Sequence, residues 1–575
     1  MEMFIPTTPE EMKKRGWNSL DIIIVSGDTY IDSYYNGASV IGHWLIDNGF
    51  RVGIIAQPDT ESEKDITRLG EPELFWSVTA GSVDSMVANY TPTNKRRRDD
   101  DFTPGGINDR RPDRACIAYT NLIKKHIKGR PIVLGGIEAS LRRVAHYDAW
   151  SDSVRRSILF DSKADLITYG MAELSNLELA RAFRDGKNID DIRGICRIGK
   201  EPRKDYVKMP PYEECVNNKD DFIKAFRIFH ENNDPAASRG ICQKHGDRYL
   251  IQNPPSRVLT SEELGRVHSL DYECAVHPYY LKDGDVKAME TIKNSITSHR
   301  GCYGECSFCA ISVHQGRTVV SRSEGSIISE AEKMASKPDF NGIIYDVGGP
   351  TANMYGIECS KKLVKGACPD RKCLYPKPCS HLPIDHAKQI SLLKKLSEVP
   401  GVKKVMVTSG IRYDMIVRDR IHGKDYVDRL VGNHVSGQLK VAPEHTVPHV
   451  LELMCKPGPD VLIEFKKMFD DSNAKQGKNQ FLTYYLMAAH PGCYQEDMEE
   501  LSRFVHRELK TNPEQVQIFT PTPSTVSTMM YHTRRDYDNT RNLKSEHSMQ
   551  MKQVQKEVLT EPKAEGYARK RQKTP

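Results

Sequence analysis

Two stretches of the chain alternate short apolar runs with segments of helical spacing, and this alternation restricts the fold more than any other feature. The strand candidates of the first stretch are Asp21–Ser26, Arg51–Ala56, Trp76–Ala80, Pro131–Gly136 and Asp165–Gly170. Helical patterns separate them at Gly37–Asn48, Ala115–Lys128 and Ala172–Arg184. Strands that alternate with helices predict parallel βαβ units in a doubly wound α/β sheet. Such sheets bind ligands at the carboxyl ends of their strands, where Gly27, Gly135, Gly136 and Gly170 lie.

A second alternation begins near Ser295. Its strand candidates are Ser295–Ser298, Gly342–Val347, Val402–Thr408, Gln438–Ala442, Phe481–Ala488 and Val516–Phe519. Helical patterns separate several of them at Gly325–Ser336, Asp385–Val399, Tyr413–Val431 and Glu496–Leu509. Six such repeats predict a partial parallel (β/α)6 barrel, whose active site would lie at the carboxyl ends of the strands.

These patterns divide the chain into four parts. Residues 1–195 are predicted to form a Rossmann-like domain, and the polar, weakly periodic residues 196–287 a connecting region with a small subdomain. Residues 288–560 would form the barrel, with a cysteine-rich insertion at 350–384. The basic tail at 561–575 has no core pattern and is predicted to be disordered.

Composition excludes several classes of protein. Among 575 residues, 38% are hydrophobic and 28% charged, and no run approaches the roughly 20 apolar residues that span a bilayer. The N-terminus has no basic head followed by an apolar run, so we expect a soluble, cytoplasmic protein with no membrane partner. In a reducing compartment, clustered cysteines more often bind metal or carry redox chemistry. The grouping of the 14 cysteines is therefore informative.

Three cysteines follow the first predicted barrel strand with the spacing C-x3-C-x2-C: Cys302, Cys306 and Cys309. A ferredoxin-type cube needs four thiolates, so three would leave one iron open to a ligand that is not protein. An open iron suits catalysis better than simple electron transfer, and Phe308 adds an aromatic ring beside it. The alternatives are a zinc site with a distant fourth ligand, or cysteines buried for packing.

The cysteine segment, followed by βα repeats, resembles the radical S-adenosylmethionine (SAM) superfamily. The resemblance implies a [4Fe-4S] cluster on Cys302, Cys306 and Cys309, with SAM bound to the fourth iron. Reductive cleavage of SAM would yield a 5′-deoxyadenosyl radical that abstracts hydrogen from an unidentified substrate. Because solvent quenches such radicals, a closed barrel around the site would protect them.

The resemblance also implies positions that hold SAM. The superfamily usually has a Gly-Gly-Glu-like stretch after its second strand, and here Gly348-Gly349 is followed by Pro350, so carbonyl groups would replace the acid. Ser409 and Arg412 match positions that often contact polar groups of SAM. Glu444 and His445, after the fourth strand, are either further ligands or turn residues.

A narrower resemblance covers nearly the whole chain. Four segments look like the YgiQ-type family of radical SAM proteins: Gly135–Arg143, His146–Trp150, Val441–His445 and Thr520–Pro523. This resemblance implies cofactor chemistry and an external electron donor such as flavodoxin or ferredoxin. It implies no particular substrate or catalytic residue.

The N-terminal sheet resembles the cobalamin-binding domain that precedes many radical SAM barrels. A domain that ligates cobalt carries D-x-H-x-x-G after its first strand, but here Asp28-Thr-Tyr30 has tyrosine in place of the histidine. Histidine is the residue that would ligate the metal. We therefore favour a platform for substrate or docking, with cobalamin held without a protein ligand as the alternative.

Four further cysteines lie in the predicted insertion: Cys359, Cys368, Cys373 and Cys379, followed by His381. Four thiolates could hold zinc or an auxiliary iron–sulfur cluster. Their irregular spacing matches no standard site, so cysteines that pack or stay free are the alternative. An auxiliary cluster would offer an electron path or a substrate anchor, whereas zinc would staple the loop.

Basic runs do not indicate a nucleic-acid partner. Lys95–Arg98 is followed at once by Asp99–Asp101, and the remaining arginines occur as scattered pairs that we expect on the solvated surface. No RNA-binding module with interleaved aromatic residues is evident. A radical SAM enzyme is therefore the leading hypothesis. The rival is a non-catalytic iron–sulfur protein for electron transfer or assembly, in one form associated with RNA.

Overall fold

The computed structural model describes residues 4–513 and 515–560. The tail for which the sequence predicts disorder, 561–575, lies outside the described residues. The described chain forms two α/β units, and the predicted fold class is confirmed. None of the described helices is long and apolar enough to cross a membrane.

Five parallel strands form the centre of the N-terminal sheet. They lie in the spatial order Val52–Ala56, Ile22–Ser26, Phe75–Thr79, Ile132–Gly135 and Leu166–Thr168. In chain order this arrangement is 2-1-3-4-5, one of the common doubly wound topologies. Both Ile22–Ser26 and Val52–Ala56 are buried at every residue, as expected for parallel strands covered by helices on both faces.

The sheet continues beyond the predicted domain boundary at residue 195. Four more strands extend it in the order Ile195–Gly199, Arg248–Gln252, Ile241–His245 and Val207–Lys208. The first two junctions of this extension and the hairpin at 241–252 are antiparallel. The sequence instead predicts a separate connecting region at 196–287. Arginine, lysine and glutamine side chains in these strands obscure the apolar alternation from which a strand is recognised.

Helices cover the N-terminal sheet and join its strands. The longer ones are Pro9–Lys14, Gly37–Asp47, Ala115–His126, Gly136–Leu141, Glu173–Arg184, Tyr212–Asn217, Lys219–Glu231 and Ser261–Ser269. Short helices lie at Lys64–Thr67, Ser85–Asn89, Ile158–Ser162, Pro278–Leu281 and Met289–Ile292. Two small hairpin-like pairs accompany them, Ile31–Asp32 with Ala275–Val276 and His146–Asp148 with Ser153–Arg155.

Six parallel segments of the second unit follow one another in chain order as an open barrel. Ser295–Thr297 pairs with Asp346–Gly348, and Ile343–Ile344 of the same second segment pairs with Lys404–Val405. A bridge from Ile411 to Val441 joins the third segment to the fourth. The last three strands are Gln438–Glu444, Phe481–Ala488 and Gln515–Ile518. This order confirms the predicted partial (β/α)6 barrel.

The barrel helices pack outside these strands. They are Ile311–His314, Glu324–Ala335, Ala387–Glu398, Tyr413–Arg418, Gly423–Arg429, Pro448–Met454, Pro459–Gln476, Gln495–Phe504, Val526–Thr533 and Met549–Thr560. The predicted cysteine-rich insertion is mostly irregular, with one helix at Ser360–Lys365. Its apolar side chains form a small core with Tyr303 of the cysteine loop and with Met415. The insertion therefore packs directly on the loop that carries the C-x3-C-x2-C motif.

Candidate functional site

The three motif cysteines lie on one loop after the strand Ser295–Thr297. A Cβ atom placed on Gly304 would lie 3.3 Å from Sγ of Cys302 and 3.6 Å from Sγ of Cys306, so these two sulfurs face the same small space. The thiol of Cys309 is close enough to both that their negative charge raises its pKa. The structure therefore brings together all three cysteines that the sequence predicts as ligands.

The donor set fits a metal centre. Burial, with a contribution from neighbouring sulfur, raises the pKa of Cys302 to about 11 and that of Cys309 to about 12. Thiols with such pKa values stay protonated at neutral pH until a metal cation stabilises their ionised form. Zinc at about 2.3 Å would hold sulfurs about 3.8 Å apart. In the described part of the chain these thiols do not form a group of three ligand atoms within 4.8 Å, so the loop is not a preformed zinc site.

Arg412 places a permanent positive charge beside this loop. Its Nη1 atom lies 3.5 Å from Sγ of Cys306, and its other nitrogens donate to both carboxylate oxygens of Asp414 at 2.8 and 2.6 Å. The Asp414 carboxylate raises the pKa of Arg412 against the effect of burial. The backbone of Arg412 exchanges two hydrogen bonds with the buried Asn353 side chain. Arg412 is thus held in place beside the sulfur of Cys306.

A cavity of about 480 Å³ lies between the carboxyl ends of the two sheets. Residues of the N-terminal unit that line it include Asp28, Gly81, Gly136, Thr168, Glu173 and Asn176, and those of the barrel include Thr297, His299, Arg300, Gly348, Gly349 and Ser409. Both kinds of sheet bind ligands at this end of their strands. The cavity is therefore the candidate site for SAM and substrate.

Three residues predicted to hold SAM line this cavity: Gly348, Gly349 and Ser409. A side chain at Gly349 is excluded, since its Cβ would lie 2.6 Å from the carbonyl oxygen of His299. The carbonyl of Gly348 already accepts hydrogen bonds from Ser298 N at 2.6 Å and Ser298 Oγ at 3.1 Å. Of the carbonyl groups that the sequence predicts for this role, that of Gly348 is thus already occupied.

An aspartate of the second barrel strand contributes a carboxylate close to the glycine pair. Asp346 lines the cavity and accepts hydrogen bonds from the backbone of Thr408 and Ser409 at 2.8 and 3.0 Å. The Ser409 hydroxyl also donates to it. The sequence alone did not indicate a role for Asp346, although this residue lies only two positions before the glycine pair. A carboxylate is therefore present even though Pro350 replaces the expected acid.

Two buried polar groups of the cavity lack a complete set of partners. The Glu173 side chain pairs with Arg300 through Oε1, but Oε2 has no hydrogen-bond partner among the described residues. His299 shares a hydrogen bond with Ser298 Oγ through Nδ1, and its Nε2 is likewise unpaired within the described chain. Burial lowers the pKa of His299 to about 4, so its imidazole is neutral. Because buried polar groups are normally paired, both atoms are suited to contact a polar ligand.

The remaining strand-end predictions have other surroundings. Phe308 packs on the hydrophobic core with its ring 6.4 Å from that of His490. Glu444 is partly buried and has a left-handed backbone (φ 67°), with Lys456 4.0 Å from its carboxylate. His445 is buried beside Cys493, 3.7 Å from its sulfur. The geometry does not distinguish a ligand role from a structural one for Glu444 and His445.

The second cysteine group is spread over the insertion. Cys359 and Cys373 are close enough for their charges to interact, and Lys362 Nζ lies 3.4 Å from Sγ of Cys373. Arg371 lies 3.9 Å from Sγ of Cys379, and the charge of Cys368 contributes to the raised pKa of Arg371. Throughout the described residues, no three of these sulfurs meet within 4.8 Å. The group therefore has no preformed zinc geometry, and an auxiliary metal site stays a prediction.

Tyr30, which occupies the position of the cobalt-binding histidine, forms hydrogen bonds within the protein. The Tyr30 hydroxyl donates to Asp32 at 3.0 Å and accepts from the backbone of Ile5 at 2.9 Å. Asp28 forms a buried ion pair with Arg111 at 2.7 Å. Tyr30 is therefore not available as a cobalt ligand, although this leaves binding without a protein ligand open.

Three arginines of the pairs expected on the solvated surface, Arg111, Arg142 and Arg143, are buried inside the fold, which corrects the expectation for them, whereas Arg156 and Arg534 are exposed as predicted. Arg111 joins Asp28 and Asp100, and Arg142 joins Asp84 and Asp148, all of them buried. Arg143 is buried between the rings of Tyr169 and Phe229. Only 1% of Arg111 and 0% of Arg143 is exposed. These arginines stabilise the N-terminal unit and do not form a basic surface.

Comparison with solved structures finds two radical SAM enzymes. The chain is similar to the methyltransferase TsrM from Kitasatospora setae with cobalamin and a [4Fe-4S] cluster bound (TM-score 0.48, 13% identity, 88% of this chain and 74% of that chain). It is also similar to the cobalamin-dependent enzyme OxsB with aqua-cobalamin bound (TM-score 0.49, 10% identity, 90% of this chain and 56% of that chain). These findings lend no support to the expectation that cobalamin is not bound.

Sequence comparison finds much closer relatives. A UPF0313 protein of Fusobacterium nucleatum is 55% identical over 97% of this chain and 99% of its own length. A UPF0313 protein of Thermotoga maritima is 47% identical over 96% of this chain and 98% of its own length. The family model for the radical SAM N-terminal region matches residues 4–295. The chain therefore belongs to the radical SAM family, within the group of UPF0313 proteins.

Proposed function

We propose that this protein is a radical SAM enzyme that cleaves SAM reductively and begins a reaction on a substrate held between its two sheets. The observation that carries the proposal is the convergence of Cys302, Cys306 and Cys309 on one loop beside Arg412. When bound there, a [4Fe-4S] cluster would supply the electron that splits SAM into methionine and a 5′-deoxyadenosyl radical. The protein must position SAM, shield the radical from water and present a carbon–hydrogen bond.

The chain has groups suited to each of these tasks. Asp346 provides a carboxylate at the cavity wall for the amino group or the positive sulfur of SAM, and its bonds from Thr408 and Ser409 fix its direction. Gly349 lets a ligand approach the backbone because no side chain projects there. Enclosure between two sheets excludes water, which limits loss of a reactive intermediate.

The substrate would contact polar groups that the N-terminal unit and the barrel both present to the same cavity. Glu173 Oε2 offers an acceptor and neutral His299 offers one nitrogen, so a polar substrate fits better than a hydrocarbon. TsrM and OxsB are named for cobalamin, and a cobalamin held without a protein ligand in this cavity is the alternative occupant. An external reductant such as flavodoxin or ferredoxin would supply the electron.

The decisive experiment is anaerobic reconstitution with iron and sulfide, followed by EPR of the reduced protein with and without SAM. We expect a [4Fe-4S]+ signal that changes when SAM is added, together with formation of 5′-deoxyadenosine. A signal indifferent to SAM would favour the rival function, a non-catalytic iron–sulfur protein. Adding cobalamin to the same sample and measuring its retention on a desalting column tests the alternative occupant.

Two alanine variants make this experiment specific. Cys306→Ala removes one of three thiolates, so we expect loss of the EPR signal and at least a hundredfold lower yield of 5′-deoxyadenosine. Cys242→Ala is the matched control, because Cys242 is a buried cysteine of the strand Ile241–His245 in the N-terminal sheet. If both variants retain their cluster and cleave SAM, the assignment of Cys306 is wrong.

A further inference from the structure

A second cavity, of about 490 Å³, lies outside the site described above. It is bounded by the helix Ser261–Ser269 on one side and the barrel helix Glu324–Ala335 on the other. Its volume is within the range of small-molecule sites. Tyr34 and His268 line both cavities and form the wall between them.

His268 is the first group that indicates a ligand. Only 5% of it is exposed, and within the described chain neither ring nitrogen has a hydrogen-bond partner. Burial, assisted by the charges of Arg322 and Arg300, holds the pKa of His268 well below its ordinary value. A neutral imidazole presents one donor and one acceptor. A buried histidine with both positions unused is uncommon in the absence of a partner.

Glu330 is the second such group. Its Oε2 atom accepts from Arg322 at 2.5 Å, whereas Oε1 has no partner at hydrogen-bond distance among the residues described. Burial raises the pKa of Glu330, and the nearby Tyr34 hydroxyl opposes part of this rise. Only 9% of Glu330 is exposed. The floor of the cavity thus presents an unpaired carboxylate oxygen of Glu330 together with an unpaired donor and an unpaired acceptor of His268. These groups fit a ligand whose edge carries both a hydrogen-bond donor and a hydrogen-bond acceptor.

Aromatic rings form the wall next to this floor. The ring of Tyr34 lies 4.9 Å from that of His268 and 5.8 Å from that of Tyr272, the latter at 84°. Leu270 and Met334 add apolar surface. Flat, apolar walls around a polar floor suit an aromatic heterocycle better than a sugar or an aliphatic acid.

The mouth of the cavity carries more positive than negative side chains. Lys293, Lys333 and Lys337 lie there with Glu262 and Asp271, and five serines add hydroxyl groups: Ser261, Ser269, Ser323, Ser326 and Ser329. Lys293 pairs with Asp339, and Lys337 donates to the backbone of Glu273. Lys333 is exposed and forms no ion pair among the described residues, so it can meet an anionic group of a ligand.

We propose that this cavity binds a nucleotide, with its base packed against the ring of Tyr34 beside Tyr272 and its phosphate near Lys333. The base would place an exocyclic amino group on Glu330 Oε1 and a neighbouring ring nitrogen on His268. This site is separate from SAM cleavage in its residues, apart from the shared wall. A bound nucleotide would therefore be a second substrate or an effector.

The test is calorimetric titration of the full chain with AMP, GMP, CMP, UMP and inorganic phosphate. We expect saturable binding of one or more nucleotides that carry an exocyclic amine, and at least threefold weaker binding of UMP than of CMP. Phosphate alone should bind far more weakly, because the aromatic and floor contacts are absent. Equal affinity for CMP and UMP would overturn the role of Glu330, and no saturation by any nucleotide at 1 mM would overturn the proposal.

Three variants locate the site. His268→Phe keeps the ring and removes both nitrogens, so it should weaken binding about three- to tenfold, as for loss of one or two hydrogen bonds. It should also raise the melting temperature of the ligand-free protein, because an unpaired buried polar group is removed. Lys333→Ala should weaken nucleotide binding without affecting the matching nucleoside, and Lys394→Ala, an exposed lysine of helix Ala387–Glu398, is the control.

The two proposals fail separately. SAM cleavage measured on Lys333→Ala should be unchanged, since this exposed side chain lies outside the SAM cavity. A nucleotide that SAM displaces, and whose affinity survives His268→Phe, would occupy the SAM site instead and would refute the second site. Loss of SAM cleavage with retained nucleotide binding would refute only the proposed function.

Discussion

At the scale of single residues, Arg412 connects the cysteine loop to the buried interior of the barrel. Its guanidinium is 7% exposed, pairs with both oxygens of Asp414, and reaches Cys306 with one remaining nitrogen. A hydrogen-bond donor on a cluster sulfur stabilises the reduced, more negative state of the cluster. The planar fork of arginine is what allows both contacts at once, and lysine cannot reproduce it.

We therefore expect Arg412→Lys to shift the midpoint potential of the cluster to a more negative value. The charge is retained, but the geometry directed at Cys306 is lost. Redox titration followed by EPR measures the shift, and the rate of SAM cleavage with a fixed reductant should fall with it. Arg418→Lys, at the exposed end of the same helix, is the matched control. An unchanged potential in Arg412→Lys would mean that the 3.5 Å contact has no electronic effect.

Asp346 gives a second prediction at this scale. If its carboxylate attracts the cationic groups of SAM, Asp346→Asn should raise the apparent Kd for SAM about tenfold, which corresponds to about 1.4 kcal/mol. The amide still accepts the bonds from Thr408 and Ser409, so iron content should stay constant. Equilibrium dialysis with labelled SAM, beside Asp339→Asn on the exposed surface, measures the effect. Equal affinity in both variants would place SAM away from Asp346.

The sequence predicted these single residues unevenly. Cysteine spacing predicts Cys302, Cys306 and Cys309 because all three lie within one loop. The contact between Arg412 and Cys306 spans 106 positions, and the pairing of Glu173 with Arg300 spans 127. The first contact depends on how distant segments of the barrel pack together and the second on how the two units meet, so no local sequence pattern predicts either of them. The pairing of Arg412 with Asp414 was easier to predict, because a carboxylate two residues after a buried arginine is a plausible partner.

At the scale of elements, the cysteine-rich insertion is tied to the cluster loop by a buried lysine. Lys362 lies 3.2 Å from Glu305, which stands between Cys302 and Cys306, and 3.4 Å from Cys373. Only 3% of Lys362 is exposed. A buried ammonium group needs such partners because its charge is removed from water. The Lys362 side chain therefore links the second cysteine group to the loop that carries the first.

This arrangement makes metal content a direct test of the insertion. We expect more metal per reconstituted chain than four irons, and loss of the excess in Cys373→Ser while the SAM-responsive EPR signal persists. Elemental analysis separates iron from zinc, which distinguishes an auxiliary cluster from a structural staple. Cys215→Ser, a buried cysteine outside the insertion, is the control. Four irons and no zinc in the parent chain would show that the second group stays free.

Strands could be predicted from the sequence where their side chains form a continuous apolar run, and they could not be predicted where polar side chains interrupt that run. The parallel strands Ile22–Ser26 and Val52–Ala56 are continuous apolar runs that a buried strand requires. The strands Ile241–His245 and Arg248–Gln252 carry lysine, histidine, arginine and glutamine, and they are held by their antiparallel ladder. Pairing with a neighbour, rather than their own pattern, makes them part of the sheet.

At the scale of the whole molecule, the two sheets point their carboxyl ends at one cavity, so both units contribute to one site. This arrangement buries many ionisable side chains between and within the units. Burial lowers the pKa of eight histidines to values between about 3 and 4: His146, His245, His299, His314, His434, His445, His490 and His532. The unfolded chain would bind protons at these positions near pH 6.5.

Stability should therefore fall as the pH is lowered from 7 to 5.5. A group whose pKa is depressed on folding binds more protons in the unfolded state, so the free energy of unfolding decreases as the pH falls below the unfolded pKa. Each histidine contributes about 1 kcal/mol over this interval. Glu330 and Glu444, whose pKa values burial raises, act in the opposite direction but are fewer.

Denaturant unfolding followed by circular dichroism, at fixed ionic strength and at several pH values, measures this dependence. We expect a midpoint that falls steadily between pH 7 and 5.5. His245→Phe should flatten the slope, because its two nitrogens have no partners among the described residues and its ring stacks on Phe160 at 4.6 Å. His381→Phe, at an exposed position of the cysteine-rich insertion, should leave the slope intact. A midpoint that stays level over this pH range would contradict the prediction, because it would mean that these histidines are solvated and titrate normally in the folded protein.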